Sequence, residues 1–261
     1  MINLDKQKKE KENLILTKYI PLLKKYYIVH ELKKEHLLKD IDHEECFIIK
    51  DGSVLARDNN GKTTTLEKGT PIGFAEALVS RSYDLTYILK EDTTVFAFKS
   101  GDIRKAIGSS SSLTRGIIKY TLDRIFQNNK SKTYHLIDNG FLSKQQDRFP
   151  IKDYQDGDTI FMRNQKPKFF FYVESGKVNL VSKEEKTIAT FNDGDSFGEM
   201  ALFTNTVRSV TAKAVGKTSL QLVSAEFIKD FFDNEDPLIK FSLVSIIERL
   251  KAMNNLRDLI K

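Results

Sequence analysis

The sequence predicts a mainly β fold with flanking α-helices, built as two tandem jelly rolls (double-stranded β-helices), each followed by helices. Three observations carry this. Short runs rich in β-branched and aromatic residues recur along the chain, separated by turn pairs such as Asp51-Gly52, Asn60-Gly61 and Asp156-Gly157. Many short strands at close spacing mark an antiparallel barrel or roll. The second half also repeats the first: Phe47–Val54 matches Phe171–Val178 and Val95–Ser100 matches Ser219–Ser224, both at an offset of 124 residues. Ala77-Leu78 matches Ala201-Leu202 at 124, while Gly69 and Gly73 match Gly194 and Gly198 at 125.

In order, residues 1 to about 25 read as two short helices, with Leu14, Ile15, Tyr19, Leu22 and Leu23 at helical spacing and Pro21 breaking the run. Strands follow at Tyr26–Leu32, Glu45–Lys50, Ser53–Asp58, Thr63–Gly69, Asp84–Lys90 and Thr94–Ser100. The stretch from Ser100 to Gln127 reads as two helices with a break at Ser109–Ser112, the second carrying the apolar stripe Leu113, Ile117, Ile118, Leu122, Ile125, Phe126. A polar segment, 131–148, is expected to be the linker. The strand pattern returns at Phe149–Tyr154, Thr159–Asn164, Phe169–Glu174, Lys177–Ser182, Thr187–Phe191, Ser209–Val215 and Ser219–Ser224, with Ser175-Gly176 read as a turn. The chain closes on a long helix whose Leu243, Ile246, Leu250 and Met253 form a seam that also permits a dimer. The expected domains are therefore 1–130 with N-terminal helices, the linker 131–148, and 149–261 with the last helix as a lid.

Composition narrows the function. The 261 residues are 40% hydrophobic and 30% charged, an ordinary globular balance, with a net charge of +6. No long uncharged apolar run suggests a membrane span, and the N-terminus does not read as a secretory signal. The single cysteine, Cys46, lies in an apolar run and reads as a small buried hydrophobe. A cytoplasmic location is expected. Lys6, Lys8, Lys9 and Lys11 alternate with Glu10 and Glu12, a solvated helix face rather than a nucleic-acid arm. His30, His36, His43 and His135 are too scattered for a metal site, and no nucleophile–histidine arrangement is evident; no metal and no catalytic residue is assigned. Gly61-Lys62-Thr63 echoes the end of a P-loop without its first glycine.

One stretch concentrates the chemistry: Asp193 to Ala214, centred on Phe197-Gly198-Glu199-Met200-Ala201-Leu202, with Arg208 and Ser209 six residues on. Gly198 allows close backbone approach. Glu-Met-Ala-Leu starts a short helix, whose first backbone N–H groups, at Met200 and Ala201, favour an anion. Arg208 can make a two-pronged, charge-assisted contact to phosphate. Glu199 would repel a phosphate but suits a sugar hydroxyl, because a carboxylate is purely an acceptor.

This stretch resembles the phosphate-binding cassette of the cyclic-nucleotide-binding domain family, which includes catabolite-activator proteins and kinase regulatory subunits. Tyr154–Gln165 resembles the family's first turn and strand, and Phe169–Val181 its central hairpin. The resemblance implies that Arg208, with Ser209, Gly198, Met200 and Ala201, holds the ligand phosphate and that Glu199 holds the ribose. It implies a non-enzymatic sensor of a cyclic nucleotide, cyclic AMP before cyclic GMP, that signals through an unidentified protein partner. The alternatives are an interaction scaffold with a relic pocket, or a receptor for another nucleotide such as a cyclic dinucleotide. Because the sequence stops at Lys261, no DNA-binding domain is expected, and the first 25 residues contain no arginine for a kinase pseudosubstrate. Asn254 and Asn255 are candidate base contacts.

The first copy departs from the pattern. Arg208 matches Asp84, Ser209 matches Leu85, and Glu199 falls near Phe74 or Ala75, with Glu76 a step away and Arg81 nearby. An aspartate would repel a phosphate roughly as strongly as the arginine attracts it. The first copy should therefore not bind a cyclic nucleotide in the usual way, and calorimetric titration should saturate at one ligand per chain. A second tight site would contradict this.

Overall fold

The strands form where apolar and polar residues alternate, so that one face turns to a core. The computed structural model describes residues 18–34, 44–79, 85–126, 149–204 and 206–258. These are mostly antiparallel β-sheets with flanking helices, in two compact units. One unit takes the residues up to Ser110 together with those from Glu235 onward; the other runs from Ser111 to Asn234.

The first unit has a short 3-10 turn at Ile20–Leu23, started by Pro21. Strands β1 (Tyr27–Leu32), β2 (Glu45–Asp51), β5 (Pro71–Ile72) and β7 (Thr93–Lys99) form one sheet in the order β1-β7-β2-β5. Strands β3 (Val54–Arg57), β4 (Thr63–Leu66) and β6 (Thr86–Leu89) form a second, ordered β4-β3-β6. Phe47, Ile49, Val54, Tyr87 and Val95 lie in the shared core. Helix α1 (Phe74–Val79) follows Gly73, and α2 (Ser100–Gly108) follows β7. Cys46 is fully buried, which pushes its thiol well above the usual range.

The second unit opens with helix α3 (Ser112–Phe126), whose start is capped by Ser111 Oγ accepting from the Thr114 N–H at 3.1 Å. Its barrel contains β8 (Ile151–Tyr154), β9 (Thr159–Phe161), β10 (Phe169–Val181), β11 (Thr187–Asn192), β12 (Ser196–Phe197) and β13 (Thr211–Ser224). The order is β11-β10-β13-β8, with β12 on β10 and β9 on β13. Helix α4 (Glu199–Phe203) precedes β13, and α5 (Ala225–Asp233) follows it.

Three expectations change here. Helix α3, expected within the first domain, 1–130, belongs to the second unit, which begins at Ser111. Ser175-Gly176 is not a turn between strands but an irregularity inside the single strand β10, and the runs Ser209–Val215 and Ser219–Ser224 likewise fall in one strand, β13. Gly176, at φ +97, lets the strand bend without ending; a Cβ there would lie 2.5 Å from the Lys217 carbonyl oxygen. The last helix, α6 (Pro237–Asp258), expected as a lid on the second copy, packs in the first unit. Phe241 explains this: its ring lies 5.4 Å from Phe74, 5.3 Å from Phe98 and 6.3 Å from Tyr19. Leu243, Ile246 and Leu250, the seam read as permitting a dimer, are buried within the chain. The expected linker, most of the N-terminal helical segment, Asp84 and Arg81 lie outside the described residues, as do the side chains of Asn254 and Asn255.

Aromatic pairs in such contact couple by about 0.5–1.5 kcal/mol beyond their area. A double-mutant cycle of Phe74→Leu and Phe241→Leu, read by urea unfolding, should show that coupling. Strict additivity would contradict the placement of α6.

Candidate functional site

The second barrel brings two distant pieces of sequence together. β12 pairs with β10, setting Phe171 opposite Phe197, whose rings stack 5.0 Å apart. The chain then turns through Gly198 into α4. Gly198 has φ +91, and an added Cβ would lie 3.0 Å from Arg208 Nη1 and 3.3 Å from Phe171 Cδ2. Both the backbone and the close approach of Arg208 require glycine there.

Arg208 is fixed at its backbone and its side chain. Its N–H donates to the Gln165 carbonyl at 2.9 Å, and its carbonyl accepts from the Asn164 N–H at 2.8 Å. Asn164 makes that turn in the left-handed region, φ 66. The guanidinium donates from Nη1 to the Gly198 carbonyl at 2.6 Å and from Nη2 to the Phe169 carbonyl at 2.5 Å. Its carbon sits 4.1 Å from the Phe161 ring centre, a cation–π distance. Arg208 is only 4% exposed. Burial pushes its pKa down to about 10, with Glu199 acting the other way, so it remains a cation at neutral pH. No carboxylate among the described residues forms an ion pair with it. Its remaining N–H donors can serve an anion.

Glu199, at the start of α4, is fully buried. Its Oε1 accepts from Arg124 Nη1 of α3, while its Oε2 has no partner. Burial opposes the Arg124 charge, but Glu199, Tyr120 and Asp195 outweigh it and hold the guanidinium above its usual value. One turn earlier on α3, the Tyr120 hydroxyl donates to the Ser196 carbonyl. Burial pushes this phenol well above its usual range, so it stays a neutral donor.

The structure thus brings Gly198, Glu199 and Arg208 together. Met200 lies half-buried in the first turn of α4, Ala201 is buried beside it, and Ser209 is exposed in the loop after Arg208. Arg124 and Tyr120 were not anticipated. The signal was present: Leu113, Ile117, Tyr120 and Arg124 follow one another at spacings of four, three and four, so the arginine continues the buried line of α3.

The first unit offers a comparison. Phe47 pairs with Ile72 as Phe171 pairs with Phe197, so Phe74 stands where Glu199 stands. Glu76, two residues on, is buried and paired with Arg249 of α6 at 2.9 Å. Arg124 and Arg249 are 125 residues apart, as are Leu113 and Leu238. Met253 packs against the first barrel's core, and a cavity of about 20 Å³, room for one water, is lined by Thr64, Thr70, Tyr87 and Arg249.

Residues 151–235 match the model of the cyclic nucleotide-binding domain, and this part of the chain is a domain of that class. The relatives agree in kind. A cGMP-dependent protein kinase of Plasmodium berghei is 39% identical over 61 residues, 23% of this chain and 7% of that protein. A cAMP-dependent protein kinase regulatory subunit of Candida albicans is 22% identical over 78% of this chain and 45% of its own length. A cyclic AMP receptor protein of Thermus thermophilus is 32% identical over 39% of this chain and 48% of its own. The chain spans less than half the length of each of these relatives. Among solved structures, "cAMP bound PfPKA-R (141-441)" covers 87% of the chain at 18% identity and a TM-score of 0.38, too slight a likeness to bear on function.

Gly198→Ala should destabilise the chain by about 1–3 kcal/mol in urea unfolding, because strained backbone and a steric conflict coincide there. Gly157→Ala, at φ +79 with nothing within 4 Å of its Cβ, should cost about 1–2 kcal/mol, the backbone penalty alone. Gly198→Ala costing no more than Gly157→Ala would contradict the described fit of Arg208 against Gly198.

Proposed function

We propose that this chain is a non-enzymatic regulatory protein that binds one cyclic nucleotide in its second unit, with cyclic AMP the first candidate and cyclic GMP the second. One observation carries the reading. A guanidinium is buried beside a left-handed glycine without a carboxylate ion pair among the described residues, and its spare donors suit a single phosphate. The match of residues 151–235 to the nucleotide-binding family supports the same ligand class.

In this reading Arg208 binds the phosphate from its cradle of Phe161, Phe169 and Gly198. The backbone of Met200 and Ala201 and the hydroxyl of Ser209 border the same anion, and Glu199 accepts from the ribose hydroxyl. A site of this kind moves no protons and breaks no bonds; it changes the balance between two conformations by binding one of them better. The output passes to a protein partner. The relatives named as kinase regulatory subunits make a kinase-type partner the first to test. No described helix is long and apolar enough to cross a membrane.

A thermal-shift series with cyclic AMP, cyclic GMP, cyclic dinucleotides and linear AMP tests the proposal. At a hundred times its dissociation constant the true ligand should add about 2.7 kcal/mol to the native state. Arg208→Ala should weaken binding by roughly tenfold to a hundredfold, the worth of a hydrogen bond to a charged group. If no ligand gives a shift with a folded sample, the chain is a scaffold with a relic pocket. If a cyclic dinucleotide alone does, the ligand class is wrong.

A further inference from the structure

The carboxylate assigned to the ribose is closed off. Glu199 is 0% exposed, and the group covering one of its oxygens is a guanidinium of the same unit, Arg124 of α3. Arg124 is itself only 18% exposed along its side chain and lies over the ring of Phe191, 5.3 Å away. Tyr120 fastens the same face of α3 to the Ser196 carbonyl, two residues before Gly198. A ribose hydroxyl cannot reach Glu199 while this arrangement holds.

We infer that α3 is a built-in competitor of the ligand: Arg124 occupies the carboxylate that the ribose 2′-hydroxyl would take, and nucleotide binding and release of α3 are one coupled event. This rests on the nucleotide reading given above. The buried polar atoms left over have the chemistry that reading needs. Glu199 Oε2 and Ser196 Oγ are buried without partners, an acceptor and a donor–acceptor on the two residues that Arg124 and Tyr120 hold. A ligand hydroxyl replacing Arg124 finds them ready.

The first unit holds a related pair. There Arg249 pairs with Glu76 of α1, and Met253 packs against the barrel's core. In the second unit Arg124 pairs with Glu199, next to Gly198, whose carbonyl holds Arg208. Arginines 125 residues apart each close on a carboxylate of the short helix that follows the paired strand, Glu199 in α4 and, two positions further along, Glu76 in α1.

A competitor held in place lowers the apparent affinity by the fraction of chains in which it has let go. Loosening it must therefore tighten binding. The test is isothermal titration of cyclic AMP into the full chain, its Tyr120→Phe and Arg124→Gln variants, and each of these combined with Arg208→Ala. Tyr120→Phe removes one hydrogen bond and keeps the ring, so it answers even where Arg124→Gln leaves Glu199 too poorly paired to fold. Tightening of about fivefold to a hundredfold in Tyr120→Phe, lost again with Arg208→Ala, is the expected result. Hydrogen exchange of α3 amides should also speed up when cyclic AMP is bound. Unchanged or weaker binding in the variants, or α3 amides better protected with ligand, would overturn the competitor while leaving the nucleotide site standing. Absence of binding in every chain would instead defeat the nucleotide reading itself, and the competitor with it.

Discussion

A buried guanidinium is the constraint on which the second unit depends. Removing a charge from water is costly unless polar groups replace the water. For Arg208 those groups are two backbone carbonyls, from Gly198 and Phe169, and the face of Phe161. Each demands something of the fold. The Gly198 carbonyl is available because a left-handed glycine turns β12 into α4. The Phe169 carbonyl is available because β10 begins there, and Phe161 because β9 pairs with β13 and the turn after it bonds to the Arg208 backbone. Dipoles and a ring solvate the cation but do not neutralise it, so the site retains a charge to offer an anion.

The second buried charge is handled differently. Glu199 is neutralised outright, by Arg124. A buried ion pair contributes little net stability but costs much if one partner is removed. Such a pair suits a switch, because the carboxylate must always have something to hold: the arginine of α3, or a ligand hydroxyl. The first unit retains only the pair. Phe74 stands at the position of Glu199, and Glu76 pairs with Arg249 of α6.

Much of this was legible in the sequence, for identifiable reasons. The strands of both units follow from period-two alternation and turn pairs, and the cassette from the spacing of Gly198, Glu199 and Arg208. Gly176 misled because a glycine after serine signals a turn, whereas tertiary pairing with β13 carried the strand straight through it. The placement of α6 was hidden for a different reason. An amphipathic stripe states that a helix is buried, not which barrel buries it, and Phe241 chooses among aromatic partners that only folding assembles. Arg124 was overlooked because a lone arginine on a helix usually points to water. Its position on the line of Leu113, Ile117 and Tyr120 was the clue, and it gained meaning only once Glu199 was seen at its end.

The most direct measurement is a crystal structure of the chain with cyclic AMP. The account predicts the phosphate on Arg208, the ribose 2′-hydroxyl on Glu199, and Arg124 withdrawn from that carboxylate. A nucleotide bound elsewhere, or seated in the second barrel with the Arg124–Glu199 pair intact, would contradict it.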